Sequence, residues 1–326
     1  MSKLYLECYS GISGDMTVGA LLDLGADRKV LEDVLSSVPA DGFEIRISTV
    51  QKSGVNACDF DVILEQDNHD HDMEYLFGTE DHEHGHDHDH HHDHEHDHDH
   101  DHDHEHEHEH DHEHEHEHEH DHCACGGHDH EMHDHAHEDH ERGHEHHHHH
   151  SHEHRSLSDV RKIVDATKMS DRARELTMKI FGIVAQAEAE VHGKTIEEVH
   201  FHEVGALDSI VDIISIAVCF DDLAAKENIT DVIVPVLYDG QGTIRCQHGI
   251  IPVPVPATTS IVRTHGIALH IVPDRGEFVT PTGAAAVAAL RTSDTLPEQF
   301  TVRRTGMGAG KRAYSRAGVM RAMLID

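Results

Sequence analysis

Residues 4–24, LYLECYSGISGDMTVGALLDL, decide the fold because their character changes twice within one short stretch. Residues 4–8 are mainly apolar and predict a strand, and residues 10–14 form a glycine-rich turn. Residues 15–24 predict a helix, which Gly25 ends as a C-cap glycine does. A strand, a turn and a helix in this order open a compact α/β unit, so we expect a mixed α/β (α+β) body.

The next residues continue the mixture of patterns. Apolar residues at helical spacing predict a second helix over residues 30–38, which Pro39 stops. Alternation with period two then predicts paired, half-buried strands over residues 43–47 and 58–64.

A second folded part begins near residue 155. Ser156 or Ser158 is suited to be the N-cap of its first helix. The prolines within residues 252–256 interrupt ladder hydrogen bonding and predict either an edge strand or a polyproline-like connector. The remaining patterns predict helices over residues 157–164, 170–191, 208–224, 257–263 and 283–290, and extended segments over residues 199–204, 232–236, 300–304 and 319–325.

Between these parts lies a histidine tract, residues 68–154. It holds 38 of the 44 histidines, and from residue 69 onward it carries 31 acidic residues against one arginine. Such a composition buries too little apolar surface to offset chain entropy, so it predicts a long disordered insertion. The expected organisation is an N-terminal α/β segment (1–67), the tract (68–154) and a segment (155–326) that completes the same globular body.

The composition of the tract indicates metal binding. Neutral imidazole suits nickel, copper and zinc, and the interspersed carboxylates attract any divalent cation. An internal position disfavours an expression tag, but the tract alone does not choose among the metals. Its predicted ligands include the neighbouring thiols and the first histidines after them: Cys123, Cys125, His128 and His130.

Charge and segment patterns exclude several other classes. The formal charge is −39, of which residues 69–154 account for −30, and the 240 residues outside that range contain no basic cluster typical of nucleic-acid binding. No signal-peptide layout and no membrane-length apolar run occur, which predicts a cytoplasmic protein without a membrane partner. The six cysteines show no disulfide framework, and neither a Gly-x-Ser-x-Gly motif nor a dinucleotide fingerprint is present.

The candidate for chemistry in the folded part is residues 200–212, HFHEVGALDSIVD. In an extended segment His200 and His202 lie on the same side, roughly 6.6 Å apart, so both imidazoles can meet one cation. On the following helix Asp208 and Asp212 are four residues apart and repel each other unless a cation or a lysine lies beside them. The alternative is that these side chains are structural, with Asp208 as a helix cap.

Three stretches are candidates for binding an anion. Residues 10–16, SGISGDM, follow a strand and begin a helix, where free amides and the helix dipole can hold a phosphate or carboxylate. Residues 280–283 precede an alanine-rich helix in the same way, and residues 306–312 are a third glycine-rich stretch. Each is by itself also explained as an ordinary turn. Together they predict a phosphorylated ligand, with the contacts assigned to Ser10, Gly11, Ser13, Gly14, Asp15, Thr280, Thr282 and Gly283.

Four motifs in this order resemble one known family. They are residues 10–16 (SGISGDM), 200–212 (HFHEVGALDSIVD), 248–258 (HGIIPVPVPAT) and 280–284 (TPTGA). They are similar to the nickel insertion proteins of nickel-pincer cofactor biosynthesis, the LarC family, and an internal histidine-rich insertion is also typical of that family.

The resemblance implies a reaction in which Ni²⁺ is inserted into pyridinium-3,5-bisthiocarboxylic acid mononucleotide, with CTP consumed and with Mg²⁺ or Mn²⁺ as its companion ion. Two Ni–S bonds and one Ni–C bond form, so a ring proton must leave. Within it we assign His200, His202 and Glu203 to catalysis, His200, His202, Asp208 and Asp212 to nickel, and residues 11–15 to the phosphate. The implied client is an apo nickel-pincer enzyme such as lactate racemase.

Members of this family often continue into a C-terminal module associated with CTP, whereas this sequence ends at Asp326. Three explanations stay open for the module: a separate chain, a frameshifted longer product, or its absence. The expected partners therefore include a separate C-terminal subunit or self-association. Two alternatives stay open: a nickel store or metallochaperone that acts through the tract, and a zinc-buffering protein with an unrelated body.

Overall fold

The central element of the fold is a six-stranded mixed sheet to which both ends of the chain contribute. The computed structural model describes residues 2–65, 155–201, 206–246, 248–312, 314 and 316–326, all within one compact unit. In chain order its elements are β1 (Ser2–Glu7), α1 (Gly14–Leu24), α2 (Arg28–Leu35), β2 (Phe43–Lys52), β3 (Val55–Leu64), β4 (Arg155–Ser156), α3 (Leu157–Ala166), α4 (Asp171–His192), a single 3-10 turn (Ile196–Glu198), β5 (His200–Phe201), α5 (Leu207–Glu227), β6 (Ile229–Ile233), β7 (Leu237–Cys246), β8 (Gly249–Val253), α6 (Pro256–Thr264), β9 (Leu269–Arg275), α7 (Pro281–Leu290), β10 (Val302–Ala309) and β11 (Val319–Ile325).

The strand order of the large sheet is β2-β3-β10-β11-β1-β6. Pairs β2/β3, β10/β11 and β1/β11 are antiparallel, while β1/β6 and β3/β10 are parallel. Strand β1 is therefore held between the last strand and a strand that follows the histidine tract. Residues from both sides of the tract build one sheet, and the mixed α/β expectation is confirmed.

Side-chain alternation divides the sheet into two faces. Leu4 and Leu6 of β1 belong to the main core, whereas Tyr5 points to the other face and joins a small cluster there. That cluster is completed by Ile233, Met323 and Ile325. Residues of helices α1, α4 and α5 belong to the same main core as Leu4 and Leu6, so this core lies between the sheet and the helices.

Helix α1 packs directly on the sheet, and α5 packs on α1, α2 and α4. Helix α5 is buried on nearly all sides, which explains its almost continuous apolar sequence. A Cβ atom on Gly308 would lie 1.8 Å from the carbonyl oxygen of Met16, and one on Gly19 would lie 2.5 Å from that of Cys58. The glycines thus let the helix backbone touch strands β10 and β3.

Two smaller sheets complete the body. Strand β7 pairs with β8 in antiparallel and with β9 in parallel orientation. Strands β4 and β5 pair through Arg155 with Phe201 and Ser156 with His200. The first described residues after the histidine tract therefore hydrogen-bond to the strand that begins the HFHEVGALDSIVD motif.

Several sequence expectations are confirmed. Gly25 ends α1, and Ser156 caps α3 with a capping box whose other member is Asp159. Helix α4 begins after Ser170, whose side chain accepts the N–H of Ala173. The prolines of residues 252–256 do fall at an edge, since β8 is an outer strand and Pro256 is the first residue of α6.

Other expectations need correction. Strand β6 ends at Ile233, not at residue 236, because Pro235 has no N–H to continue the ladder. The strand expected at residues 300–304 is β10, Val302–Ala309, so Gly306 and Gly308 lie inside a strand instead of an anion-binding turn. Strands β7 and β9 were not expected. No helix within the described residues is both long and apolar enough to cross a membrane.

We predict that Gly308→Ala destabilises the fold by about 3 kcal/mol, because the new methyl group overlaps the Met16 carbonyl oxygen and α1 must move. The matched control is Gly182→Ala in α4, where nothing lies within 4 Å of the added Cβ. That change should stabilise the protein by up to about 1 kcal/mol through helix propensity. Chemical denaturation measures both; equal effects of the two substitutions would contradict the packing argument.

Candidate functional site

The glycine-rich turn between β1 and α1 is the first part of the site. Gly11 has a φ of +87°, in the region that favours glycine, and its N–H donates to the carbonyl of Cys8 at 3.0 Å. Ser13 is the extended N-cap residue of α1, and its hydroxyl donates to the carboxylate of Asp15. The predicted strand, turn and helix are thus present, with Asp15 in the first helical turn.

The second predicted anion site, residues 280–283, lies against this turn. Ile12 donates its N–H to Phe278 at 2.8 Å and accepts the N–H of Thr280 at 3.1 Å. A Cβ on Gly11 would lie 2.0 Å from the Phe278 oxygen, and one on Gly283 would lie 2.3 Å from the Ile12 oxygen. The two glycine motifs are therefore parts of one surface in which backbone meets backbone.

The start of helix α7 is organised by Thr280. Its hydroxyl accepts the N–H of Gly283 at 3.1 Å, and Pro281 occupies the first helical position. Thr282 is buried. The cap satisfies one of the first-turn amides within the protein.

The carboxylates of helix α5 are the third part of the site. A Cβ on Gly14 would lie 2.3 Å from Oδ2 of Asp212, so only glycine leaves room for that carboxylate. The backbone N–H of Asp15 donates to Asp212. Asp208 lies one turn earlier and close enough to act on the charge of Asp212. The structure thereby brings Gly14, Asp15, Asp208 and Asp212 together, although nearly 200 residues separate the two motifs in sequence.

Burial is the main cause that raises the pKa values of Asp15 and Asp212. Burial raises the pKa of Asp212 well above its usual range, and the charges of Asp15 and Asp208 raise it further. Burial also raises the pKa of Asp15, although the hydrogen bond from Ser13 opposes the shift. Placed side by side, these groups favour the uptake of a proton or of a cation.

Lys311 supplies positive charge to this region, in agreement with the expectation of a cation or a lysine near Asp208 and Asp212. Its charge lowers the pKa values of both Asp15 and Asp212. The amine itself contacts Asp59 at 2.5 Å and Asp61 at 3.2 Å, and the side chain is 40% exposed. Because Lys311 also pairs with two other acids, its charge does not balance the buried carboxylates fully.

Sequence reasoning missed Asp239, which lies in β7 and is fully buried. Its Oδ1 accepts the N–H groups of Gly240 and Phe278 at 2.8 Å and of Val279 at 3.1 Å. Oδ2 has no hydrogen-bond partner among the described residues, and burial raises the pKa of the group. Asp239 thus holds the segment on which Gly11 rests. The available signal was an aspartate directly before a glycine.

The same segment is secured from its outer side by Glu277. This buried carboxylate contacts Nη1 of Arg312 at 3.1 Å, and its backbone carbonyl accepts the hydroxyl of Tyr314 at 2.6 Å. The ring of Tyr314 meets that of Phe278 edge to face at 4.4 Å between centroids. Residues 277–279 are therefore fixed on both sides.

His200 lies in β5, and its backbone pairs with Ser156. Val199 and Phe201 are both buried, as expected for the core-facing residues of this segment. Helix α5 begins a few residues later, after the N-cap Ala206, so Asp208 does not cap it. The side chain of His200 and all of His202 and Glu203 lie outside the described residues, as do Cys123, Cys125, His128 and His130. Their predicted roles stay predictions.

Ser10 is the remaining residue of the predicted anion site. It lies partly buried in the turn, two residues after Cys8. In the part of the chain that the structure describes, no group of three or more histidine, cysteine, aspartate or glutamate side chains is arranged, as it stands, to hold a metal ion.

Comparison with known proteins gives a consistent result. A family model described as nickel insertion protein matches residues 4–326. A pyridinium-3,5-bisthiocarboxylic acid mononucleotide nickel insertion protein from Alkaliphilus metalliredigens is 42% identical over 326 residues, covering 100% of this chain and 61% of that protein. Proteins of the same description from Clostridium acetobutylicum and Acetivibrio thermocellus are 37% and 31% identical, each over 99% of this chain and over 64% and 60% of their own lengths. No solved structure matches.

The chain thus spans about three fifths of the length of these curated relatives.

We predict that Asp239→Ala lowers the free energy of unfolding by about 3 kcal/mol or more, because three buried N–H groups lose their acceptor. Asp239→Asn keeps an oxygen at the Oδ1 position and should remain within about 1 kcal/mol of the parent. Urea denaturation measures both variants. An alanine variant as stable as the asparagine variant would mean that the three hydrogen bonds contribute little.

We also predict that Asp212→Asn stabilises the metal-free protein increasingly as pH rises. An acid whose pKa is higher in the folded than in the unfolded state stabilises the fold below its unfolded pKa of about 3.9, and this contribution is lost as pH rises through the folded pKa. Asparagine does not titrate, so the variant lacks this contribution to the pH dependence of stability. The difference in unfolding free energy between variant and parent should therefore grow from about pH 4 to about pH 7.

The control for Asp212→Asn is Glu197→Gln at an exposed position. Denaturation at a series of pH values after chelator treatment is the measurement. A constant difference across that range would show that Asp212 titrates normally in the folded protein.

Proposed function

The chain belongs to the nickel insertion protein family, and on that premise we propose that its folded body inserts Ni²⁺ into pyridinium-3,5-bisthiocarboxylic acid mononucleotide. The observation that carries the proposal is the convergence of three separate segments on the start of α1. The 10–15 turn contacts Gly283 through Ile12 and contacts Asp212 through Gly14. An anion-binding surface thereby adjoins a set of carboxylates, and the reaction needs both.

The anionic groups of the precursor need donors. We propose that the phosphate of the mononucleotide binds at the turn that joins β1 to α1, where the helix dipole favours negative charge. The residues assigned to this contact are those of the two turns: Ser10, Gly11, Ser13, Gly14, Asp15, Thr280, Thr282 and Gly283. The tight backbone contacts at Gly11 and Gly283 keep this surface rigid, which favours binding of the phosphate in one geometry.

The chemical step requires a proton acceptor. The Ni–C bond forms as a ring C–H bond breaks, its electron pair goes to nickel and its proton goes to a base, while the two thiocarboxylate sulfurs bind the same ion. We propose that His200, His202 and Glu203 hold nickel and accept this proton, with Asp208 and Asp212 as further ligands or orienting groups. A carboxylate whose pKa is raised, as at Asp212, accepts a proton effectively nearer neutral pH.

The histidine tract has a supporting role in this proposal. It is joined to the body at Arg155, and the strand that begins there pairs with His200 and Phe201. We propose that the tract gathers Ni²⁺ and releases it beside His200. The ordered pairing of β4 with β5 supports a short transfer distance from the end of the tract to the reacting segment.

The proposal extends to the reaction class, the nucleotide requirement, the client enzymes and the partner. We assign the activity to the lyase class and expect dependence on CTP with Mg²⁺ or Mn²⁺. The product serves lactate racemase and related apo enzymes in the cytoplasm. A C-terminal subunit or self-association is the proposed partner.

An insertion assay tests the proposal: the protein is mixed with Ni²⁺, the bisthiolated precursor and CTP, and the metallated product is read by mass spectrometry. We predict that His200→Ala lowers the initial rate by roughly 100-fold or more, as expected for the loss of an acid–base or ligand group. Asp212→Asn should also slow the reaction, whereas His270→Ala and Glu197→Gln, both at exposed positions, should retain the parent rate.

Removal of residues 68–154 distinguishes insertion from storage. With abundant Ni²⁺ an insertase without the tract keeps its rate and loses only its advantage at scarce nickel. If no product forms in any condition, including addition of the C-terminal part of a relative, while nickel still binds tightly, the protein is a nickel store and the insertase proposal is wrong.

A further inference from the structure

A second group of metal-binding side chains lies at the end of α4, outside the site proposed for insertion. Glu188 and His192 are one turn apart on that helix, and His192 is its last residue. Cys246 is the last residue of β7, and His248 lies in the turn that leads to β8. Two distant segments of sequence therefore contribute two donors each.

The four side chains are in contact. Nε2 of His192 lies 3.3 Å from Oε2 of Glu188, and Sγ of Cys246 lies 3.7 Å from Nδ1 of His248. The two imidazole rings are 5.0 Å apart between centroids and tilted by 31°. The ring contact thus links the two donor pairs into one continuous group.

These separations match those around a bound ion. With metal–nitrogen and metal–oxygen distances of about 2.1 Å, metal–sulfur of about 2.3 Å and tetrahedral angles, neighbouring donors lie about 3.4 to 3.6 Å apart. Two imidazoles on one such ion place their ring centroids about 5.2 Å apart. All three observed distances fall within a few tenths of an ångström of these values.

We propose that Glu188, His192, Cys246 and His248 bind one divalent late-transition metal ion between the end of α4 and the β7–β8 turn. Their donors touch in pairs and do not yet surround one point, so binding includes rotation of side chains. His248 is exposed and His192 is partly exposed, which favours such a reorientation of their rings. This site goes beyond the proposed function, since none of its residues takes part in the insertion chemistry.

The composition of the group indicates which ions suit it. Imidazole nitrogen and thiolate sulfur favour nickel and zinc over magnesium or calcium, and a carboxylate completes a four-donor set. Without an ion, the carboxylate of Glu188 lies beside the imidazole of His192, with 3.3 Å between Oε2 and Nε2. Metal binding exchanges protons on the thiol and the imidazoles for the ion, so affinity should rise with pH.

The first test uses the full chain, treated with chelator, and thermal unfolding with and without Ni²⁺ or Zn²⁺. His248→Ala is the main variant because the side chain is exposed and its removal leaves the core intact. The control is His270→Ala, another exposed histidine. All variants carry the same histidine tract, so differences between them report on the folded body alone.

We expect the metal-dependent rise in melting temperature to be smaller in His248→Ala and Glu188→Gln than in the parent and in His270→Ala. The apparent affinity of the folded body should fall at least about ten-fold, since loss even of a supporting partner costs that much. If the melting temperature rises in this variant-dependent way with Zn²⁺ alone, the site is assigned to zinc. If it does so with Ni²⁺ alone, the site is assigned to nickel. Both results support a site here.

The second test reads the thiolate directly with Co²⁺ as the probe. In a full chain carrying Cys123→Ser and Cys125→Ser, the thiolate-to-metal absorption band should disappear on Cys246→Ser and persist on Cys58→Ser. Equal metal-dependent melting of the parent and His248→Ala, together with a band that survives Cys246→Ser, would overturn the proposal. Neither test uses the precursor, so failure here is distinct from failure of the insertase proposal.

Discussion

Direct contact between the backbones of α1 and the sheet is the constraint on which the rest of the structure depends. Gly308 and Gly306 of β10 would place a Cβ within 2.3 Å of carbonyl oxygens of α1, and Gly19 faces the carbonyl of Cys58 in the same way. Because these positions have no side chains, the backbone of the helix contacts the backbone of the strands directly. Its first residues are consequently held at a fixed point, against Phe278 on one side and Asp212 on the other.

That fixed point determines the electrostatics of the site. Asp15 and Asp212 are close because Gly14 allows it, and their pKa values are raised because both groups leave water together. The charge of Lys311 is shared with Asp59 and Asp61 and offsets only part of the repulsion. Such an arrangement costs stability in the absence of a ligand and favours any ligand that brings positive charge. Under the proposed function, Ni²⁺ is that ligand.

The local parts of the fold could be predicted from sequence, because helix caps and apolar periodicity act over a few residues. Gly25 and Ser170 mark helix ends in this way. Strand β7 could not be predicted from sequence, because its residues LYDGQGTIRC include glycines and polar residues where alternation is expected. Its pairing with β8 and β9 is what defines it as a strand. Gly306 and Gly308 have turn chemistry in sequence, yet they lie in a strand because helix α1 needs their missing side chains.

The residues of the candidate site show the same difference between what local sequence predicts and what tertiary contacts determine. Ser10–Gly11 and Thr280–Gly283 were each identified by sequence as anion candidates, but only tertiary contacts through Ile12 show that they adjoin. Asp239 gave only a weak signal, because two of the three N–H groups that it accepts belong to Phe278 and Val279, which are distant in sequence. A buried residue that organises other residues' backbones leaves no periodic pattern for sequence reasoning to detect.

The two proposed groups of metal donors differ in how firmly they hold a late transition metal, and this difference bears on both proposals. Sets that include thiolate and imidazole, as at Cys246 and His248, bind such ions more tightly than carboxylates such as Asp208 and Asp212. An ion that must pass to two sulfurs and a carbon of the precursor is released more readily by weak oxygen ligands than by a thiolate. The group around Glu188 and His192 is therefore suited to retain its ion, whereas the carboxylates near α1 are suited to hold nickel briefly before it is transferred.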